Sequence, residues 1–208
     1  MLIVEIVMIL MTAILLWHAG EEQSPSFGLI FWVTASLFGF LKEILAIHFT
    51  HFYAFSGFTL WLFGVPVVYL LFWPNIIYVA LRWSENATAE SFLASTSPHQ
   101  LYPLIFLTMA VIAIMFEAFG SQYQMITWNI GSNLVLWGKV PVFVPFSYGI
   151  MGILFLYALR ETWRAIIDPL KRLFRLMIWV PILILTHTGA MFVIKVGIDI
   201  FSGAIKLH

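Results

Sequence analysis

Two carboxylates stand out in a chain built mostly of apolar residues. Glu43 lies in "KEILAIHFTHFYAF" (42–55), and Glu117 lies in "FEAFGSQYQMITWN" (116–129), closely followed by Gln122, Gln124, Trp128 and Asn129. At the centre of a membrane helix an ionised side chain costs about 2.5–3.5 kcal/mol on insertion scales, so a carboxyl there needs a partner or a task. A carboxyl taken out of water favours its neutral form, and a neutral carboxylic acid is a proton donor. Two such groups on adjacent helices can divide acid and base work between them. Each also has a simpler reading. Glu43 could pair with Lys42 or bond an interfacial histidine, and Glu117 could be satisfied by Gln122 or Asn129.

Rings gather around these two stretches: Tyr53, Phe55, Trp61, Trp73, Tyr123, Trp128, Trp137 and Tyr148. The negative face of an aromatic ring attracts cations, so a carbocation formed by protonating an alkene would be stabilised among them. The tyrosines and tryptophans of this group, with Asn129, are the candidate substrate-binding residues. The competing reading is the belt of Trp and Tyr at membrane–water boundaries.

Other ionisable groups carry less. Glu21, Glu22, Glu85, Glu90, Glu161 and Asp168 fall in polar segments and are expected to be solvated, and Glu5 to reach the interface. His187 and Asp199 share membrane depth with the two glutamates. His18, His48, His51 and His187 could ligate haem or a metal. However, "HFTH" is an isolated pair, and neither H-E-x-x-H nor repeated Glu-x-x-His occurs. Cysteine is absent, as are G-x-G-x-x-G, the P-loop and clustered aspartates. No metal and no cofactor is expected.

The elements that must position these residues are membrane helices. The 208-residue chain is 62% hydrophobic and 10% charged, with a mean hydropathy of +0.99. Soluble domains carry about 25% charged residues, and a soluble fold of this size could not hide so much apolar surface. Net charge is zero, which argues against nucleic acid. Stretches of roughly 20 apolar residues predict six spans: 2–17, 27–47, 58–81, 101–119, 134–159 and 176–200, with seven as the alternative. The first reads as a retained helix, since it lacks a basic leading region. Residues 48–57 and 120–133 read as re-entrant or interfacial segments. The fold class is therefore all-α, a polytopic membrane bundle forming a single domain over 1–208. Five of the ten Lys and Arg fall in 160–175, which places that loop in the cytoplasm of a cell-membrane protein and, with six spans, both termini on the other side.

An internal parallel repeat links 27–82 with 101–159. Each half has a glutamate near a helix end, then a polar-aromatic stretch, then Val65-Pro66-Val67 or Val140-Pro141-Val142. Trp73 and Tyr148 each follow seven residues after the proline, and one inserted residue aligns the halves. A parallel repeat of this kind predicts a two-fold axis along the membrane normal.

The pattern of Glu43, Tyr53, Gly64-Val65-Pro66 and Trp73, with a second block at Glu117, Trp128, Val140 and Pro141, resembles the carotenoid biosynthesis family of membrane proteins. That family includes carotenoid 1,2-hydratases acting on bacterioruberin-type precursors. The resemblance covers roughly residues 37 to 160. The chain differs from the family pattern in reading "HFTHFYAFSG" where members carry a Gly-rich stretch, and Glu-Ala where they carry Asp-Pro. Membrane terpene cyclases and heterodimeric lycopene cyclases are similar in architecture, although the Pro-x-Glu-Glu/Asp signature of the latter is missing.

The resemblance implies an enzyme that handles a hydrophobic isoprenoid or polyene taken from the bilayer among membrane lipids. Glu43 or Glu117 would protonate a C=C, the rings would stabilise the tertiary cation, and water or an internal alkene would capture it. The outcome is hydration or cyclisation, with the other carboxylate as base. Two rivals stand beside it. One is a non-enzymatic membrane subunit or proton-coupled transporter using Glu43, Glu117 and Asp199 with Lys195. The other is a haem-binding subunit.

Overall fold

A computed structural model describes residues 2–96, 98–129, 134–137 and 140–201. Its helices are α1 (Leu2–Glu22), α2 (Pro25–Ile44), α3 (Val67–Thr88), α4 (Leu101–Gln122), α5 (Phe143–Ala165) and α6 (Pro169–Phe201). All six are long and apolar enough to cross a membrane. The chain is an all-α polytopic helical bundle and an integral membrane protein.

Local chemistry sets the helix limits. Ser24 caps α2, its Oγ accepting the Phe27 N–H at 3.1 Å, with Pro25 in the first turn where its missing N–H costs nothing. In the same way Asp168 accepts the Lys171 N–H at 2.8 Å ahead of α6, with Pro169 next to it. This cap starts α6 seven residues before the expected Leu176, because the basic side chains that interrupt the hydropathy do not interrupt the helix. The third helix starts at Val67 rather than Phe58. Phe63 (φ 48°) and Gly64 (φ 76°) form a tight turn between strands β1 (Trp61–Leu62) and β2 (Val65–Pro66). Two consecutive positive φ values match the twist of a hairpin and break a helix. The fifth helix starts at Phe143 rather than Leu134, since Val135 and Pro141 bridge antiparallel just before it. Apolar composition concealed both hairpins.

Two further strands join the segments that follow α2 and α4. We call them β3 (Tyr53–Phe55) and β4 (Ile126–Trp128). They pair antiparallel in the register Tyr53↔Trp128, Ala54↔Thr127 and Phe55↔Ile126. The pairing continues through Asn129 N–H to Phe52 O at 2.9 Å and Ser56 N–H to Met125 O at 3.1 Å. Short strands at a bundle end satisfy backbone groups that lipid could not. A π-helical turn (45–49) leads from α2 into this sheet.

The two ends of the bundle differ. One holds the sheet, the hairpins and Glu5, which is buried and accepts the Thr59 N–H at 2.7 Å instead of reaching the interface. The other holds Arg82, paired with Glu22 and Glu85, and Arg160, which donates to Phe92 O and Ser95 O. Glu85 is buried there, also accepting the Phe92 N–H at 2.7 Å, and is not the solvated residue expected from sequence.

α2 and α3 cross closely at Gly39. A Cβ on Gly39 would stand 2.2 Å from Trp73 Cδ1, so this glycine lets the indole lie against the backbone of α2. Gly39→Ala is expected to cost about 1–3 kcal/mol through overpacking, read as a lower thermal unfolding temperature in detergent. An unchanged temperature would refute the close crossing.

Candidate active site at the α2, α4 and α5 junction

Glu43 closes the C-terminal end of α2 and is 1% exposed. Every neighbour within reach is a donor. Trp73 Nε1–H, from α3, donates to Oε1 at 2.9 Å, and Lys42 Nζ donates to the same oxygen at 3.1 Å. The Tyr53 hydroxyl donates to Oε2. Burial first, and then the Glu43 carboxylate, push the Tyr53 phenol well above its usual range, so it stays protonated and donates.

Lys42 is the residue that sequence analysis undervalued. It appeared only as a local partner for Glu43. In the structure its ammonium also lies 3.0 Å from the Tyr53 oxygen and over three rings, 4.9 Å from the Trp73 centroid, 5.3 Å from Tyr53 and 6.0 Å from Tyr148. Three of the rings proposed for a carbocation therefore already face a cation. The signal available in sequence was adjacency: a lysine one residue before a buried glutamate, with aromatics ten and thirty residues on.

Glu117 on α4 is 5% exposed and its surroundings are different. Oε1 accepts the Tyr148 hydroxyl from α5. Oε2 is buried without a protein partner among the described residues. Neither Gln122 nor Asn129 reaches it. Tyr148 links the two carboxylate sites, since its ring packs on Trp73 with centroids 4.7 Å apart.

Glu117 lines a cavity of about 130 Å³. From α2 and the π-turn the walls are Lys42, Leu45 and Ala46, and from the sheet end they are Phe52, Tyr53 and Trp128. From α5 they are Phe143, Val144, Ser147 and Tyr148. α6 covers the remaining side with His187, Thr188, Met191, Phe192 and Lys195. Ser147 Oγ and His187 Nε2, 2.9 Å apart, pin α6 over the cavity. Phe192, which lines the cavity from α6, is itself 69% exposed on the outside of the bundle. Lys195 is paired with Asp199 at 2.5 Å.

The structure thus brings together Glu43, Glu117, Tyr53, Trp73, Trp128 and Tyr148. It places the other candidates away from the cavity. Trp61 is exposed in the hairpin, donating to Phe58 O at 2.9 Å. Tyr123 is exposed and stacks on Phe119. Trp137 is 73% exposed, and Asn129 is exposed with its backbone in the sheet. These four rings and amides sit at a bundle end, where the interfacial role suits them. Phe52, Phe143, Ser147 and, on α6, Thr188, Met191 and Phe192 were missed, because nothing in local sequence tells which face of an apolar helix turns to a cavity; His187 and Lys195 stood out in sequence, but not as cavity walls.

Among the described residues no three His, Asp or Glu side chains converge as a metal site. His18 bonds Tyr78, His48 bonds Phe63 O and His187 bonds Ser147, each in a different place. No protein-family model, curated protein or solved structure matches this chain.

Proposed function

We propose that this chain is an isoprenoid-modifying membrane enzyme in which Glu117 protonates a C=C at one end of a bilayer-dissolved polyene. The observation that carries the reading is Glu117 itself. It is a buried carboxyl with one oxygen held by Tyr148 and the other without a partner among the described residues, on the wall of a mainly apolar cavity covered by α6. The cavity volume is near that of engineered cavities of about 150 Å³ that take benzene, so it suits an end group and leaves the rest of a polyene in the bilayer.

The proton moves from the Glu117 carboxyl to the less substituted alkene carbon, and the π electrons form the new C–H bond. The tertiary cation left behind faces Trp128, Phe52 and Phe143, the wall rings not engaged with Lys42. Capture by water gives a tertiary alcohol after loss of one proton. Capture by an internal alkene gives a ring, again after loss of one proton. In both cases the Glu117 carboxylate takes that proton back, and acid and base are one residue. Glu43 does not serve as the base in this scheme. All its donors are committed, and its charge balances Lys42 so that the ammonium does not oppose a nearby carbocation. On the positive-inside bias the site lies in the half of the membrane away from the cytoplasm.

The test is a pigment profile. Expression in a lycopene-producing bacterium should give a product heavier by one water or an isomeric ring product, and a profile identical to the empty host counts against the reaction. Tyr148→Phe removes the donor to Glu117 Oε1 and is expected to lower product by up to about tenfold, the value of one hydrogen bond of about 0.5–1.5 kcal/mol to a neutral carboxyl. Product at the wild-type level would show that Tyr148 does not position the acid. The transporter reading has one observation in its favour, since Lys195 shares the cavity with Glu117. Substrate-coupled proton flux in proteoliposomes, without product, would select it.

A further inference from the structure

The two carboxylate sites correspond residue by residue. Tyr53 stands thirteen residues before Pro66, and Trp128 thirteen before Pro141; Trp73 and Tyr148 each stand seven after. These matched residues also meet in space. Tyr53 is the cross-strand partner of Trp128, and Trp73 packs on Tyr148. Residues related by a two-fold axis meet in this way only when they lie beside it. The Glu43 and Glu117 sites are then two copies of one arrangement.

The copies differ in two contacts on the carboxylate, the bond from the Tyr53 position and the ammonium of Lys42. In the first, the Trp73 side chain bonds Glu43 Oε1 and the Tyr53 side chain bonds Oε2. In the second, the Tyr148 side chain bonds Glu117 Oε1, but the match to the Tyr53 bond is not made. Its two ends are Trp128 Nε1–H and Glu117 Oε2. Both are buried, both lack a protein partner among the described residues, and both residues line the cavity. The side chains at the matched position differ in covalent shape: a phenol carries its oxygen at the tip of the ring, whereas an indole carries its nitrogen on the flank. Phe116 stands where the first copy has Lys42, so that position supplies no ammonium to Glu117, and the lysines on the cavity wall are Lys42 itself and Lys195.

We propose that Trp128 Nε1–H and Glu117 Oε2 form a seat for one hydroxyl oxygen of a cavity ligand. The oxygen accepts from the indole and shares a hydrogen bond with the carboxyl. A hydroxyl can do both whichever protonation state the carboxyl holds in its cycle, whereas a ketone or ether oxygen meets only the protonated form, an ammonium cannot accept and a carboxylate cannot donate. The ligand class is therefore an alcohol with an apolar body. This deepens the reading of Glu117 as the working carboxyl and rests on it.

The experiment uses the full chain in lipid nanodiscs with nitrogen-15 in the tryptophan indoles, with Trp128→Phe assigning the Trp128 signal. The probes are 2-methyl-2-heptanol and 2-methylheptane, which share a carbon skeleton and differ by the hydroxyl. The alcohol should move the Trp128 Nε1–H resonance saturably, and the alkane should not. The Trp73 resonance, committed to Glu43, should stay in place. Glu117→Leu should weaken the alcohol about tenfold, and Glu117→Gln, which keeps shape and polarity, by less. A Trp128 resonance indifferent to the alcohol, or moved equally by the alkane, overturns the proposal. So does undiminished affinity in Glu117→Leu. If that variant fails to fold, Trp128→Phe decides, read on the Tyr148 ring: about tenfold weaker binding supports the seat, and unchanged binding removes it. No turnover enters this measurement. A chain that binds the alcohol but leaves polyenes unchanged keeps the seat and loses the reaction. One that converts polyenes with an indifferent indole does the reverse.

Discussion

A lycopene-producing host expressing the Glu117→Gln chain is expected to accumulate only unmodified pigment. General acid–base groups contribute about 10²–10⁴-fold to rate, so at least about a hundredfold loss of product is the anticipated result. Glutamine has nearly the shape of glutamic acid. Its amide oxygen still accepts the Tyr148 hydroxyl that Glu117 Oε1 accepts now. The substitution therefore removes the transferable proton while retaining the contact that orients the side chain. Thermal unfolding in detergent should stay close to wild type, which separates lost chemistry from lost folding. Product formed at the wild-type rate by a folded Glu117→Gln chain would remove Glu117 as the acid, and with it the proposed reaction.

The second large effect concerns stability. Lys42 and Glu43 form an ion pair 3.1 Å long, with the carboxylate side 1% exposed. Removing one partner of such a pair leaves an uncompensated buried charge and costs about 3–5 kcal/mol, whereas replacing both is often near neutral. Lys42→Met is expected to lower the unfolding temperature by about 6–20 °C, using about 2–4 °C per kcal/mol for a chain of this size. The double variant Lys42→Met with Glu43→Gln should recover most of that loss, because an amide oxygen still accepts from Trp73 and Tyr53 and no charge remains. The measurement is a double-mutant cycle followed by tryptophan fluorescence on heating. Additive losses would mean that the pair is not coupled, and that Glu43 is held by its neutral donors alone.

Together the two experiments separate the roles of the carboxylates. Glu43 is satisfied by three donors, one of them the Lys42 cation, so its loss is read mainly in folding. Glu117 has, among the described residues, one donor and one unpartnered oxygen at a cavity wall, so its loss is read mainly in chemistry. Identical residues reach different ends because Phe116 replaces Lys42 and Trp128 replaces Tyr53 at matched places.

Sequence by itself determined the solvent, the fold class and the two carboxylates. Hydropathy averages over some twenty residues, so six helices survive small local errors. A charge in lipid is costly enough that Glu43 and Glu117 stand out against almost any background. Trp73 and Tyr148 were also legible, through their fixed distance from the two prolines. Tertiary structure decided the rest. Hydropathy cannot tell a hairpin of apolar residues from a helix, so β1 and β2 were read as the start of α3. Which face of an apolar helix turns inward depends on its neighbours, so Ser147, Phe143 and Met191 left no trace in sequence, and His187 and Lys195 stood out only as polar groups at membrane depth. The pairing of Tyr53 with Trp128 joins strands 75 residues apart, set by how α2 and α4 end side by side. Packing then treated the two carboxylates differently: donors hold both oxygens of Glu43, while one oxygen of Glu117 has no partner among the described residues.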